Sequence, residues 1–146
     1  MYLALERMRA AHNPRKALLV VSDGGDNHSR YSERDLEAFA RESDVQIHAI
    51  GIHDNPRSTE EMNGTSLLEG LTKMSGGLHF IIRDINELSD VAGKIGEALR
   101  DQYILGYYPP PNTTPGKWRK IRVKLVPPKG LPPLQVYART GYYPAE

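Results

Sequence analysis

A chain of 146 residues, 39% hydrophobic and 25% charged, is long enough to bury one ordinary core. Its formal net charge of +1 gives no electrostatic case for a nucleic-acid or anionic-membrane partner, and no run nears the roughly 20 apolar residues of a membrane span. Cysteine is absent, which excludes disulfides, thiolate metal sites and cysteine nucleophiles.

The elements alternate from the start. Met1, Ala4, Leu5, Met8 and Ala11 recur at helical spacing, and Asn13-Pro14 ends that helix. Ala17 to Val21 is apolar throughout, as suits a strand buried on both faces of a parallel sheet. Being the most apolar strand, it is expected to be central, yet nothing upstream supplies a neighbour. Ser32 with Asp35 reads as a capping box for a second helix with Leu36, Phe39 and Ala40 inward. Val45 to Ile52 is the second strand, and His53 to Thr65 reads as a polar loop. Ser66 with Glu69 makes another capping box before Leu67, Leu68, Leu71 and Met74, and Gly76-Gly77 stops that helix. Leu78 to Ile82 is the third strand; Asp84 then caps a helix carrying Leu88, Val91, Ala92, Ile95 and Leu99 inward.

This order predicts an α/β fold: a Rossmann-like parallel sheet of three strands with helices on both faces, over residues 1–100. Residues 101–146 differ, with seven Lys or Arg against two acids, where 1–100 holds twelve against sixteen. There Gln102 to Tyr108 is β-prone, Trp118 to Val126 alternates strictly, and Leu134 to Arg139 returns the chain, which predicts a small antiparallel β extension with a basic, wet face. Solvated sheet surface accounts for that basic face better than a nucleic-acid patch, because no glycine-rich or aromatic RNA motif accompanies it.

Chemistry concentrates just past the first strand, in Ser22-Asp-Gly-Gly-Asp-Asn-His28. Open α/β folds place ligands at the carboxyl ends of their strands. Asp23, Ser22, Asp26 and Asn27 are oxygen donors of the kind hard divalent cations prefer. A plain Asp/Gly/Asn-rich turn with capping side chains is the alternative. His28, His53, Asp54 and Asp84 fall on the same edge and would form a polar rim. No nucleophile is placed: Ser22 lacks a Gly-x-Ser-x-Gly elbow, and Asp26 would repel a phosphate from Gly24-Gly25.

Leu18-Leu-Val-Val-Ser-Asp-Gly24 resembles the fourth strand and third metal-site segment of the von Willebrand factor type A family, the integrin I-domain fold. Val45 to Ile52 is similar to its fifth strand, and Leu71-Thr-Lys-Met-Ser-Gly-Gly-Leu-His-Phe80 to its helix-to-strand passage. Leu99 to Pro109 and Arg139-Thr-Gly-Tyr-Tyr-Pro144 resemble a bacterial, acidobacterial-type subfamily. The resemblance implies a protein-binding module of adhesion type, in which Mg²⁺ or Mn²⁺ is completed by a partner carboxylate and Asp23 is the matched ligand. The family's first metal segment, Asp-x-Ser-x-Ser, does not occur in residues 1–146, so the chain resembles the C-terminal half of such a domain. Cation binding by this chain alone is accordingly expected to be weak or absent.

Two other functions remain open on sequence grounds. One is a small hydrolase- or phosphatase-like α/β enzyme using Asp23, although the second aspartate that such strand ends carry two residues on is missing. The other is an assembly fragment whose first strand pairs with another chain, giving a homodimer or strand swap.

Overall fold

A computed structural model describes residues 1–23, 32–53, 59–110, 114–132 and 134–144, without the side chains of 59–62. The elements are α1 (Tyr2–Arg9), β1 (Lys16–Ser22), α2 (Glu33–Glu42), β2 (Val45–Ile52), α3 (Thr59–Ser75), β3 (His79–Ile82), a 3-10 turn (Ile85–Glu87) and α4 (Leu88–Arg100). Two short strands follow, β4 (Arg119–Lys120) and β5 (Gly141–Tyr142). The first three strands form one parallel sheet in the order β1-β2-β3, and β4 pairs antiparallel with β5. The fold is therefore α/β with a small antiparallel unit.

Strand parity assigns the two faces. Leu18 lies opposite Ile47, so Leu18, Val20, Val45 and Ile47 share one face. There they join Leu5 of α1, Ala40 of α2 and Leu71 of α3 in one cluster. Ile50 and Ile82 point the other way and pack on Val91 and Ile95 of α4. Helices cover both faces of the sheet. β2 is central, with six of its eight residues buried. β1 is not: it sits at the sheet's edge, and none of its seven residues is fully buried. Composition alone would centre it, but among the described residues no strand lies on its other side.

Local signals explain most boundaries. The Ser32 hydroxyl accepts from the Asp35 N–H at 3.2 Å while the Asp35 carboxylate accepts from the Ser32 N–H at 3.0 Å, a complete capping box. The Ser32 hydroxyl also donates to the Asp35 carboxylate at 2.7 Å, and this bond first, with that from the Ser32 N–H, holds the Asp35 carboxyl below its ordinary range. α3 departs from the sequence reading. It starts at Thr59, so Ser66 and Glu69 lie inside the helix rather than at its start. The helix runs straight through Asn63-Gly64, whose turn tendency gives way to it.

At its end, α3 is latched to the middle of β2. Gly76 takes φ +82° and the Gly77 N–H reaches back to the Thr72 carbonyl at 2.8 Å, the six-to-one bond of a Schellman stop. The Ser75 hydroxyl accepts from the Ile47 N–H at 2.9 Å, Gln46 donates to the Gly76 carbonyl at 2.7 Å, and the Leu78 N–H donates to His48 Nδ1 at 3.1 Å. These bonds set where β3 begins beside β2.

His48 is 1% exposed, and since its Nδ1 accepts from Leu78, Nε2 carries the proton. Burial pushes its pKa below the ordinary histidine value. Above pH 6.5 the ring is neutral folded or unfolded, so it adds no pH dependence there. As pH falls below 6.5 the unfolded chain takes up a proton that the folded chain refuses, and stability drops until the folded pKa is reached. The slope attributable to this ring is at most about 1.4 kcal/mol per pH unit. Denaturant midpoints at pH 7.5 and 5.5 should show that loss, and His48→Gln should flatten it; an unchanged slope would remove His48 as its source.

The tail is less regular than its alternation suggests. Each strand has two residues, and Tyr103, Ile104, Leu105 and Tyr108 are exposed outside any strand. A two-stranded ribbon offers these segments no third strand and no second layer to pack on. What holds is a local anchor. Trp118 meets the Tyr143 ring edge-on at 5.0 Å, with the Arg41 guanidinium 5.8 Å from its centroid. The Thr140 N–H donates to the Met74 carbonyl at 3.1 Å, and Arg139 bonds the Arg41 carbonyl at 2.7 Å and pairs with Asp44. The tail is thus stitched to the C-terminal ends of α2 and α3.

Candidate functional site

Because the three strands are parallel, their carboxyl ends share one edge. β1 ends in Ser22 and continues to Asp23, β2 to His53, and β3 to Arg83 and Asp84. Asp23 is exposed, and Ser22 is half-buried. Asp26, Asn27, His28 and Asp54 lie outside the described residues.

Asp84 serves as a cap. Its carboxylate accepts from the Asn86 N–H at 2.9 Å and from the Asn86 side-chain amide at 2.8 Å, and Glu87 answers by accepting from the Asp84 N–H at 3.0 Å. That geometry fixes the exit from β3 and occupies one oxygen of the carboxylate.

His53 belongs to a different group from Asp23. Its N–H donates to the Ile82 carbonyl at 3.0 Å, and its Nε2 lies 2.9 Å from the Thr65 hydroxyl. His79 stands on the same face of the sheet, one strand over, where Ala49 is its register partner. Both rings gather over Gly51: a Cβ there would meet His53 Nε2 at 3.1 Å and His79 Nε2 at 3.9 Å. Glu69 lies on α3, and its charge raises the pKa of His79. Burial is the larger influence and leaves that pKa below the ordinary value, with His53 adding to the fall. Among the described residues, His79 Nε2 is buried without a hydrogen-bond partner. In sequence His79 carries no partner pattern; only strand parity together with the Thr65–Glu69 spacing on a helix could have found this group.

The edge's capacity for a metal follows from its donors. Mg²⁺ requires six oxygens in near-octahedral order. Among the described residues Asp23 and the Ser22 hydroxyl are the donors at the end of β1, and no group of three or more His, Asp or Glu is arranged to hold an ion. These residues do not by themselves fit a closed Mg²⁺ site. Two clefts among the described residues lie elsewhere. One of about 290 Å³ is lined by Arg15, Lys16, Asp44, Gln46, Gln102 and Arg139 at the amino ends of β1 and β2. A second, of about 530 Å³, lies between Arg9, Arg41, Asp44 and the closing Tyr142-Tyr143. Among the described residues no helix is long and apolar enough to cross a membrane.

No family model matches the chain, and no curated protein does. It is similar to the crystal structure of an uncharacterized membrane spanning protein from Vibrio fischeri, at 18% identity and a TM-score of 0.50. That likeness covers 66% of this chain and 53% of the other, so the chain spans about half the length of that structure, and at this identity it bears on the fold alone.

Proposed function

We propose that the chain is a non-catalytic protein-interaction module of von Willebrand factor type A character, which contributes Asp23 to a cation-dependent contact. The observation that supports this reading is the position of Asp23. It is an exposed carboxylate directly after the strand Lys16–Ser22, on the carboxyl edge of a parallel sheet with helices on both faces. The motif order from Leu18 to Phe80 agrees with it. With one matched ligand the site depends on oxygens from outside, among them a carboxylate of the bound protein. The enzyme alternative has less behind it, since no second aspartate follows two residues after Asp23.

Mn²⁺ titration followed by water-proton relaxation tests the reading. The expected result is binding no tighter than about millimolar, lost in Asp23→Ala, because one carboxylate with waters holds such ions weakly. Equal enhancement in both proteins, or none in either, overturns the cation-dependent role for Asp23.

A further inference from the structure

Two histidine rings converge under α3. Ala49 and Gly51 of β2 share a face with Ile47, which packs on Leu71 of α3. His53 follows on β2, and His79 lies opposite Ala49, so both belong to that face. The Nε2 atoms of His53 and His79 both lie within 4 Å of the point that a Cβ on Gly51 would occupy. The missing side chain leaves the space that the two rings share. A valine or isoleucine, the residues favoured in strands, would close it.

The two nitrogens are held differently. His53 Nε2 is 2.9 Å from the Thr65 hydroxyl. His79 Nε2 is buried and, among the described residues, has no hydrogen-bond partner. A buried polar atom left unpaired carries a desolvation cost that a ligand relieves. His48 Nε2 shares that condition, but its ring turns to the opposite face of the sheet, that of Ile50. Glu69 stands one helical turn after Thr65 on α3, and its negative charge reaches His79, which favours a cation there.

We propose that His53 and His79 together ligate one divalent ion of the Zn²⁺ or Cu²⁺ class through their Nε2 atoms. Imidazole suits these ions, whereas Mg²⁺ takes oxygen, so the site is chemically separate from a cation contact at Asp23. Metal–nitrogen bonds of about 2.0–2.1 Å draw both half-buried rings toward the point above Gly51. The ion then replaces the Thr65 hydroxyl at His53 and fills the vacant lone pair of His79. Two protein donors leave a tetrahedral ion two further positions, for water or a donor from outside. The ion is therefore exchangeable, unlike the four-ligand structural kind.

Titration calorimetry with Cu²⁺ and Zn²⁺, and electron paramagnetic resonance of the Cu²⁺ complex, test this on the full chain. The expected result is one site, tighter for Cu²⁺ than for Zn²⁺ and unmoved by excess Mg²⁺. The Cu²⁺ spectrum should show two imidazole nitrogens. His53→Gln and His79→Gln should each weaken Cu²⁺ binding about tenfold or more, since even the outer partners of a metal ligand are worth that much. Each should also leave a single imidazole in the spectrum. His12→Gln, His28→Gln and Asp23→Ala should match the parent in both affinity and spectrum. Asp23→Ala thereby separates this site from the contact proposed above. The imidazole count is read on the unaltered chain, so a variant that fails to fold does not shelter the proposal. A parent spectrum with any count other than two, an imidazole lost in His12→Gln or His28→Gln, or parent-like affinity in either His53→Gln or His79→Gln overturns it.

Discussion

Gly77→Ala should lower unfolding free energy by roughly 4 kcal/mol or more, the range reserved for backbone collisions and comparable failures. Gly77 follows the left-handed Gly76 and lies so close to β2 that a Cβ would overlap the Ile47 carbonyl. The obstacle is backbone in the central strand, and that backbone is held by β1, by the Ser75 hydroxyl and by the Gly77 turn itself. Neither side can give way without loss of the latch between α3 and β2. Since whole domains are stable by only about 5–15 kcal/mol, the variant should be largely unfolded or recovered as aggregate. Gly70→Ala and Gly93→Ala are the controls. Both sit on exposed helix surface with no atom within 4 Å of the added carbon, and each should stabilise by about 0.5–1 kcal/mol. Urea unfolding of the three proteins decides the matter. A Gly77→Ala midpoint equal to that of the parent would show that the close approach is not held in solution.

Leu5→Ala should cost about 2–5 kcal/mol, the range for removing a leucine from a packed core. Leu5 is fully buried among Ala40, Val45, Ile47 and Leu71. It is also the only buried residue of α1, whose eight residues carry no side-chain N-cap bond. A helix that short is marginal without tertiary contacts, so the substitution should release α1 as well as leave a cavity. Thermal unfolding followed by circular dichroism would show both effects, as a lower midpoint and a reduced helical signal before the transition. Leu19→Ala provides the contrast. That side chain is exposed in the single chain, and its loss should change monomer stability by well under 1 kcal/mol.

Elements whose identity rests on local chemistry were legible in the sequence. Ser32 with Asp35, Gly76-Gly77 and Asp84 with Glu87 each declare a helix end through a bond made within a few residues. The alternation of helices and apolar strands likewise implies a parallel sheet, and with it the common edge of Asp23, His53 and Asp84. Other features depend on partners distant in sequence. α3 begins seven residues before Ser66, because Asn63-Gly64 reads as a turn until the helix is packed. His53, Thr65 and His79 meet only once β2 and β3 are in register. The alternation from Trp118 to Val126 is a true strand pattern, but a pattern needs a neighbour, and the pairing ends at Arg119 and Lys120 with one further bond from the Ile121 N–H to the Thr140 carbonyl. β1 shows the same limit in reverse: its composition asks for two neighbours, and the described chain supplies one.

The tail's aromatic anchor gives the molecule a built-in reporter. Trp118 is the only tryptophan of the chain, and it packs on Tyr143 and over Gly141, whose missing side chain leaves room for the indole. Its fluorescence therefore senses whether the tail is seated on α2 and α3, whereas far-ultraviolet dichroism is dominated by the helices around the sheet. Two optical signals thus divide the polypeptide between them, so that detachment of the tail can be followed separately from melting of the part that carries Asp23.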